Sequence, residues 1–126
     1  MMVVRAIRGA TTAQENTKES ILATTKELLE AIVRANDLHL DDIISAFFTT
    51  TQDLNAEFPP VAARKLGWVN VGLMCSHEML VPDAQGKCIR VMVHFNTDKS
   101  ADEISNVYLR EAVNLRKRGF EDVPEC

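Results

Sequence analysis

The sequence predicts an α+β domain, α/β-like in its alternation: one mixed β-sheet with helices packed on one face. Three observations carry that prediction. Strand-like and helix-like segments follow one another in the order strand, helix, strand, short helix, strands, helix. From Cys88 to Phe95 the residues alternate, with Ile89, Val91, Val93 and Phe95 on one side and Cys88, Arg90, Met92 and His94 on the other. Two long stretches, opened by Asn16 and Ser100, space their apolar residues as a helix does. With 126 residues, 46% of them hydrophobic, the chain can build one core and has too little for two comfortable domains. The expected division is a single domain over 1–118 and a loose, polar tail over 119–126.

Val3 to Ile7 is the first expected strand, broken by Gly9-Ala10-Thr11-Thr12. Asn16 then caps a helix, with Glu19 three residues on in a variant of the capping box. Ile21, Leu22, Leu28, Leu29, Ile32 and Val33 form its apolar stripe, and Asn36 ends it. Leu40-Asp41-Asp42 is a short turn. Ile43 to Thr51, rich in β-branched and aromatic residues, is a strand. Pro59 and Pro60 start a short helix that runs through Arg64 and Leu66 and stops at Gly67. Trp68 to Leu73 is the third expected strand. Met74 to Val81 sets polar residues in an apolar frame, and Pro82 to Gly86 turns the chain into the strand from Cys88 to Phe95. Ser100, with Glu103, caps a second long helix whose buried stripe is Ile104, Val107, Tyr108, Ala112 and Leu115.

Composition excludes several function classes. A net charge of −4 with one basic triplet, Arg116-Lys117-Arg118, is a poor match to nucleic acid and to a membrane surface. That triplet suits a solvated helix end. Three cysteines, Cys75, Cys88 and Cys126, give an odd number with no CxxC or Cys/His ligand spacing, so neither a disulfide framework nor a metal site is expected. The first residues lack the apolar core of a signal peptide, and no apolar stretch reaches the length of about 18 residues that spans a bilayer. A cytoplasmic protein is expected.

Two arginines need an explanation. Arg90 lies inside the apolar strand from Cys88, and Arg8 near the end of the first strand. A guanidinium keeps its charge, and burying it unpaired costs several kcal/mol or more. Each must meet a resident carboxylate, reach water, or face an anion that comes and goes. As an anion site, the pair would grip carboxylate in two-pronged fashion. Both readings stay open for Arg90 and for Arg8. Glu78, between His77 and Met79, is either a surface glutamate or an acceptor that balances Arg90 and holds a hydroxyl. Cys75 is a small buried filler or a thiol at the same site. Tyr108 falls on an apolar stripe with its hydroxyl reaching the surface. Arg64 and Arg116 follow helical spacing as solvated side chains. His39 and His94 show no metal-ligand spacing. No nucleophile triad, phosphate loop or acid/base dyad is apparent. The residues alone reach as far as a soluble α/β domain with a candidate carboxylate site.

Taken together, the segments resemble a known family. The matching words are Arg5-Ala6-Ile7-Arg8-Gly9-Ala10-Thr11-Thr12, Asn16-Thr17 and Asp53-Leu54-Asn55-Ala56-Glu57-Phe58-Pro59. Gly67-Trp68, Cys75-Ser76-His77-Glu78-Met79, Cys88-Ile89-Arg90-Val91-Met92 and Val107 through Arg116 follow in order. The pattern is similar to that of the monofunctional chorismate mutases of the Bacillus type, the AroH class, from about Val3 to Arg116.

The resemblance implies a homotrimeric pseudo-α/β barrel with each active site between adjacent subunits. It implies conversion of chorismate to prephenate, at the branch toward phenylalanine and tyrosine, with no cofactor and no metal. The rearrangement is intramolecular: a C–O bond breaks as a C–C bond forms, and no proton need move. The protein would hold a flexible dianion in a chair-like shape and stabilise negative charge growing on the ether oxygen. By family match, the catalytic residues would be Arg90, Glu78 and Arg8. Arg90 would face the ether oxygen, Arg8 would bind the substrate beside it, and Glu78 would accept from the ring hydroxyl. Tyr108 would donate to a carboxylate, Phe58 would form an apolar wall, and Leu115 would pack nearby. Leu73, Met74 and Cys75 would line the substrate pocket, with Arg64 and Arg116 at its entrance. Met74 stands where the family pattern has a small polar residue, and Pro60-Val61 where it has a more basic pair. Two other readings share the sequence features. One is an imine or enamine deaminase of the YjgF type, which would release ammonia. The other is a non-catalytic sensor that binds a carboxylate and leaves it unchanged.

Overall fold

The computed structural model describes residues 2–117; the side chains of residues 114, 116 and 117 lie outside that description. Five strands form one mixed sheet. β1 (Val3–Thr12) pairs antiparallel with β4 (Cys88–Thr97), and β2 (Ile43–Thr50) pairs antiparallel with β4 on its other side. β3 (Gly72–His77) runs parallel to β2, and the two-residue β5 (Val107–Tyr108) runs parallel to β1. The order across the sheet is β3-β2-β4-β1-β5. β4 therefore sits in the middle, and its alternation is that of a strand with one face in the core.

The core lies between one face of the sheet and the helix α1 (Lys18–Asn36), joined by α2 (Pro60–Lys65). Ile7, Phe48, Val91, Val93 and Phe95 from the sheet meet Leu28, Leu29 and Ile32 from α1, Ala63 from α2, and Trp68. Full burial of side chains of this size contributes roughly 1.5–3 kcal/mol each. Ala13, Ile21, Leu54 and Ile89 form a smaller cluster at one end. The other face of β2, β4 and β1 carries Phe47, Thr49, Arg90, Met92, His94 and Arg8, none of them buried. Helices on one face are thus what the sequence predicts.

Four local expectations are corrected. The first strand does not break at Gly9 but continues through Thr12. A Cβ on Gly9 would lie 2.7 Å from Ile32 Cδ1, so this glycine serves the close approach of α1 to the sheet. The cap of α1 is Thr17, whose side chain accepts the Ser20 N–H at 3.1 Å. Asn16 instead accepts the N–H groups of Asn55 and Ala56 at 3.0 and 3.1 Å, and its amide donates to Asn55 Oδ1. The third strand begins at Gly72, not at Trp68. Trp68 is buried in the core, its N–H donating to the Ala63 carbonyl at 3.0 Å, and the residues through His77 take up the pairing with β2.

The fourth correction is the second long helix. The Ser100–Glu103 capping box forms, and the bonds from Ser100 hold the Glu103 carboxyl below its ordinary pKa. Yet only the 3-10 turn Ala101–Glu103 follows it. Buried Asn36 accepts the Ser105 N–H at 2.8 Å and donates to the Ser105 carbonyl at 2.9 Å, and Asn106 Oδ1 accepts the Arg8 N–H at 2.8 Å. These bonds draw the chain onto the edge of β1 as β5. A 3-10 segment, Arg110–Lys117, comes after it. The tail over 119–126 lies outside the described residues.

Candidate active site

The open face of the sheet is the floor of a cavity of about 580 Å³. Strand register fixes what lies on that floor. Arg90 stands between Thr49 on β2 and Ala10 on β1, and Met92 between Phe47 and Arg8. Ala10 in turn faces Tyr108 on β5, so one row of the sheet runs Thr49, Arg90, Ala10, Tyr108. Leu115 and His94 also line it. Ser45 Oγ lies 3.3 Å from Nδ1 of His94.

Glu78 follows directly after β3, and its backbone N–H donates to the Thr50 carbonyl at 2.8 Å. Its Oε2 lies 3.3 Å from Arg90 Nε and accepts a hydrogen bond from Thr49 Oγ1. The Arg90 side chain nevertheless remains 50% exposed. A half-exposed pair of this kind contributes only about 0–1 kcal/mol to stability. Its value is geometric, because it anchors the guanidinium by one edge. Beneath it, burial pushes the Cys88 thiol up to about 11, with the Arg90 charge opposing and the Glu78 charge adding. Cys88 is therefore a neutral thiol near neutral pH and no thiolate nucleophile.

Arg8 reaches the same cavity from β1. Among the described residues no carboxylate pairs with it. Its backbone is tied to Asn106, and the Leu109 N–H donates to the Ala10 carbonyl at 2.9 Å, which holds Tyr108 at the rim. Two guanidiniums face one carboxylate here, so the cavity carries net positive charge and suits an anion. Among the described residues no cluster of His, Cys, Asp or Glu is placed to hold a metal ion.

The sequence-derived candidates divide into two groups. Arg8, Glu78, Arg90, Tyr108 and Leu115 line this one cavity. Phe58 and Cys75 line a separate cavity of about 370 Å³, together with His77 and Pro59. Cys75 and Leu73 are in register with Phe48 and Ala46, so both point to the core face. Met74, in register with Phe47, points to the open face and is exposed. Arg64 is exposed on α2. The Arg116 side chain lies outside the described residues. A single chain does not bring the two groups together. Thr49, Phe47, Met92 and His94 belong to the cavity and were not singled out from sequence. Alternation gave the face for Met92 and His94, but Thr49 and Phe47 needed the register of β2 against β4.

The sequence profile of the family described as chorismate mutase type I matches residues 4–118. The chain is 45% identical over 116 residues to the chorismate mutase AroH of Bacillus subtilis (strain 168), covering 91% of each chain. It is 43% identical over 115 residues to the chorismate mutase AroH of Thermus thermophilus, covering 90% of this chain and 94% of that one. Among solved structures, a chorismate mutase from Clostridium thermocellum superposes with a TM-score of 0.85 at 51% identity, covering 86% of this chain and 97% of the other.

Proposed function

The chain belongs to the type I chorismate mutases, and from that premise we propose that it converts chorismate to prephenate over the open face of its sheet. It is an isomerase, and its product feeds phenylalanine and tyrosine synthesis. The observation that carries the assignment to this cavity is Arg90, anchored through Nε on Glu78 and still half exposed beside Arg8.

Chorismate is a dianion whose rearrangement needs no acid, base or nucleophile. What slows it in water is the entropy of reaching the folded chair and the charge that gathers on the ether oxygen. Arg8 and Tyr108 hold carboxylate, restricting the substrate to the reactive shape. Arg90 places a fixed positive charge where electron density builds only midway, an effect of the type worth ~10²–10³ in kcat. Glu78 accepts the ring hydroxyl and keeps the cavity from carrying excess charge. Leu115 packs against the apolar part of the ligand.

What one chain leaves open supports a site shared between subunits. Phe47 and Met92 in the cavity and Met74 on the same face expose apolar surface. In a homotrimer with sites between subunits, Phe58, Met74 and the free backbone edge of β3 at Leu73 and Cys75 of one chain face Arg90 of the next, with Arg64 and Arg116 at the entrance. Free thiols at Cys75 and Cys88 fit a reducing cytoplasm. No described helix is long and apolar enough to cross a membrane.

The test is incubation of purified protein with chorismate, followed by mass spectrometry and an ammonia assay. An isomer of equal mass with the NMR spectrum of prephenate is expected. Ammonia release would indicate the deaminase chemistry, and bound but unchanged chorismate would indicate a sensor. The relatives support neither of these.

A further inference from the structure

Thr49 stands directly opposite Arg90 on β4 and, on its other side, opposite Ser76 on β3. Its Oγ1 donates to Glu78 Oε2, the same oxygen that meets Arg90 Nε. Two donors from two neighbouring strands therefore converge on one carboxylate oxygen. Glu78 Oε1 takes no hydrogen bond from a described residue. The Glu78 backbone is fixed by its bond to Thr50, but its side chain still has three torsions to settle. With Arg90 as its one partner, the carboxylate could still turn about that contact. The Thr49 hydroxyl removes that freedom, because its Cβ belongs to a strand paired on both sides.

We propose that Thr49 is a positioning residue for the reaction: by holding Oε2 it leaves Oε1 to the substrate hydroxyl and fixes the direction in which Arg90 points. This rests on the roles given above to Arg90 and Glu78. Thr49 does not act on the ligand itself, since its proton is committed to the carboxylate. Its effect reaches the reacting atoms through the aim of Arg90, and a displacement of about 1 Å in such a group can cost up to about 10²-fold in rate.

Thr49→Val keeps the shape and removes the donor, and Thr49→Ser keeps the donor. With chorismate as substrate, kcat of Thr49→Val should fall by about 10-fold or more while KM changes by less than about 3-fold, and Thr49→Ser should recover most of the rate. In a Glu78→Ala background, adding Thr49→Val should change kcat by less than about 2-fold, because the residue acts through the carboxylate. If Thr49→Val does not fold, Thr49→Ala takes its place with the same outcomes. Wild-type turnover in Thr49→Val, an equal loss in the Glu78→Ala background, or a loss in Thr49→Ser as large as in Thr49→Val would each overturn the proposal. A wild-type protein that leaves chorismate unchanged, seen in the parallel control, would overturn the functional reading beneath it.

Discussion

Arg90 and Arg8 were legible as single residues because a permanent charge inside an apolar strand has few physical outcomes. The structure gives them different ones: Arg90 has a carboxylate partner among the described residues, and Arg8 has none. Both face one cavity. Thr49 was not legible, since a threonine in a β-rich run needs no explanation until the register puts it beside Arg90. Arg90→Lys keeps the charge and loses the planar fork, so its kcat should drop by roughly 10² or more, measured at saturating chorismate. Turnover close to that of the wild type would remove Arg90 from the mechanism. A different residue tests stability. Thr11 Oγ1 is buried with no hydrogen-bond partner among the described residues. Replacing an orphaned buried hydroxyl with a methyl removes a cost of roughly 1–3 kcal/mol, so Thr11→Val should raise the urea midpoint. A lowered midpoint would mean that the hydroxyl has a partner in solution.

At the scale of elements, β1, β2, β4 and α1 could be placed from pattern, whereas β3 lies four residues later than its pattern and the chain after Ser100 does not follow its spacing. Its apolar spacing suits a helix, and its capping box forms. What overrides both is tertiary: Asn36 and Asn106 tie residues 105–108 to α1 and β1, and a parallel pairing cannot be read from spacing. Trp68 misled in the opposite direction, looking like the head of a strand while packing in the core as part of a loop. Gly9 looked like a break and is a contact. Gly9→Ala would drive its methyl against Ile32 Cδ1 at 2.7 Å and Leu28 Cδ1 at 3.2 Å. The ends of those side chains can turn aside, so the expected loss is about 1–2 kcal/mol by urea unfolding, with the fold retained. A stability equal to that of the parent would show that α1 does not press on the sheet at this point.

At the scale of the whole molecule, the candidate residues do not share one cavity, and the alternation of the sheet accounts for part of that division. Arg8 and Arg90 alternate to the open face, while Leu73 and Cys75 alternate to the core. Sequence resemblance supplied all of them at once, because motifs carry no information about which chain contributes which side chain. The proposed trimer predicts that sedimentation equilibrium returns three times the 14.1 kDa chain mass; a monomer that is fully active would contradict the shared site. In the proposed mechanism a fixed charge and a restricted shape lower the barrier, with no proton in flight. His94 also lines the cavity, and no step passes through it. The dependence of kcat on pH tests this most directly. The expected profile is level to within about twofold from roughly pH 6 to about 9, and a bell or a steep limb inside that range would mean that the enzyme depends on a proton the mechanism does not contain.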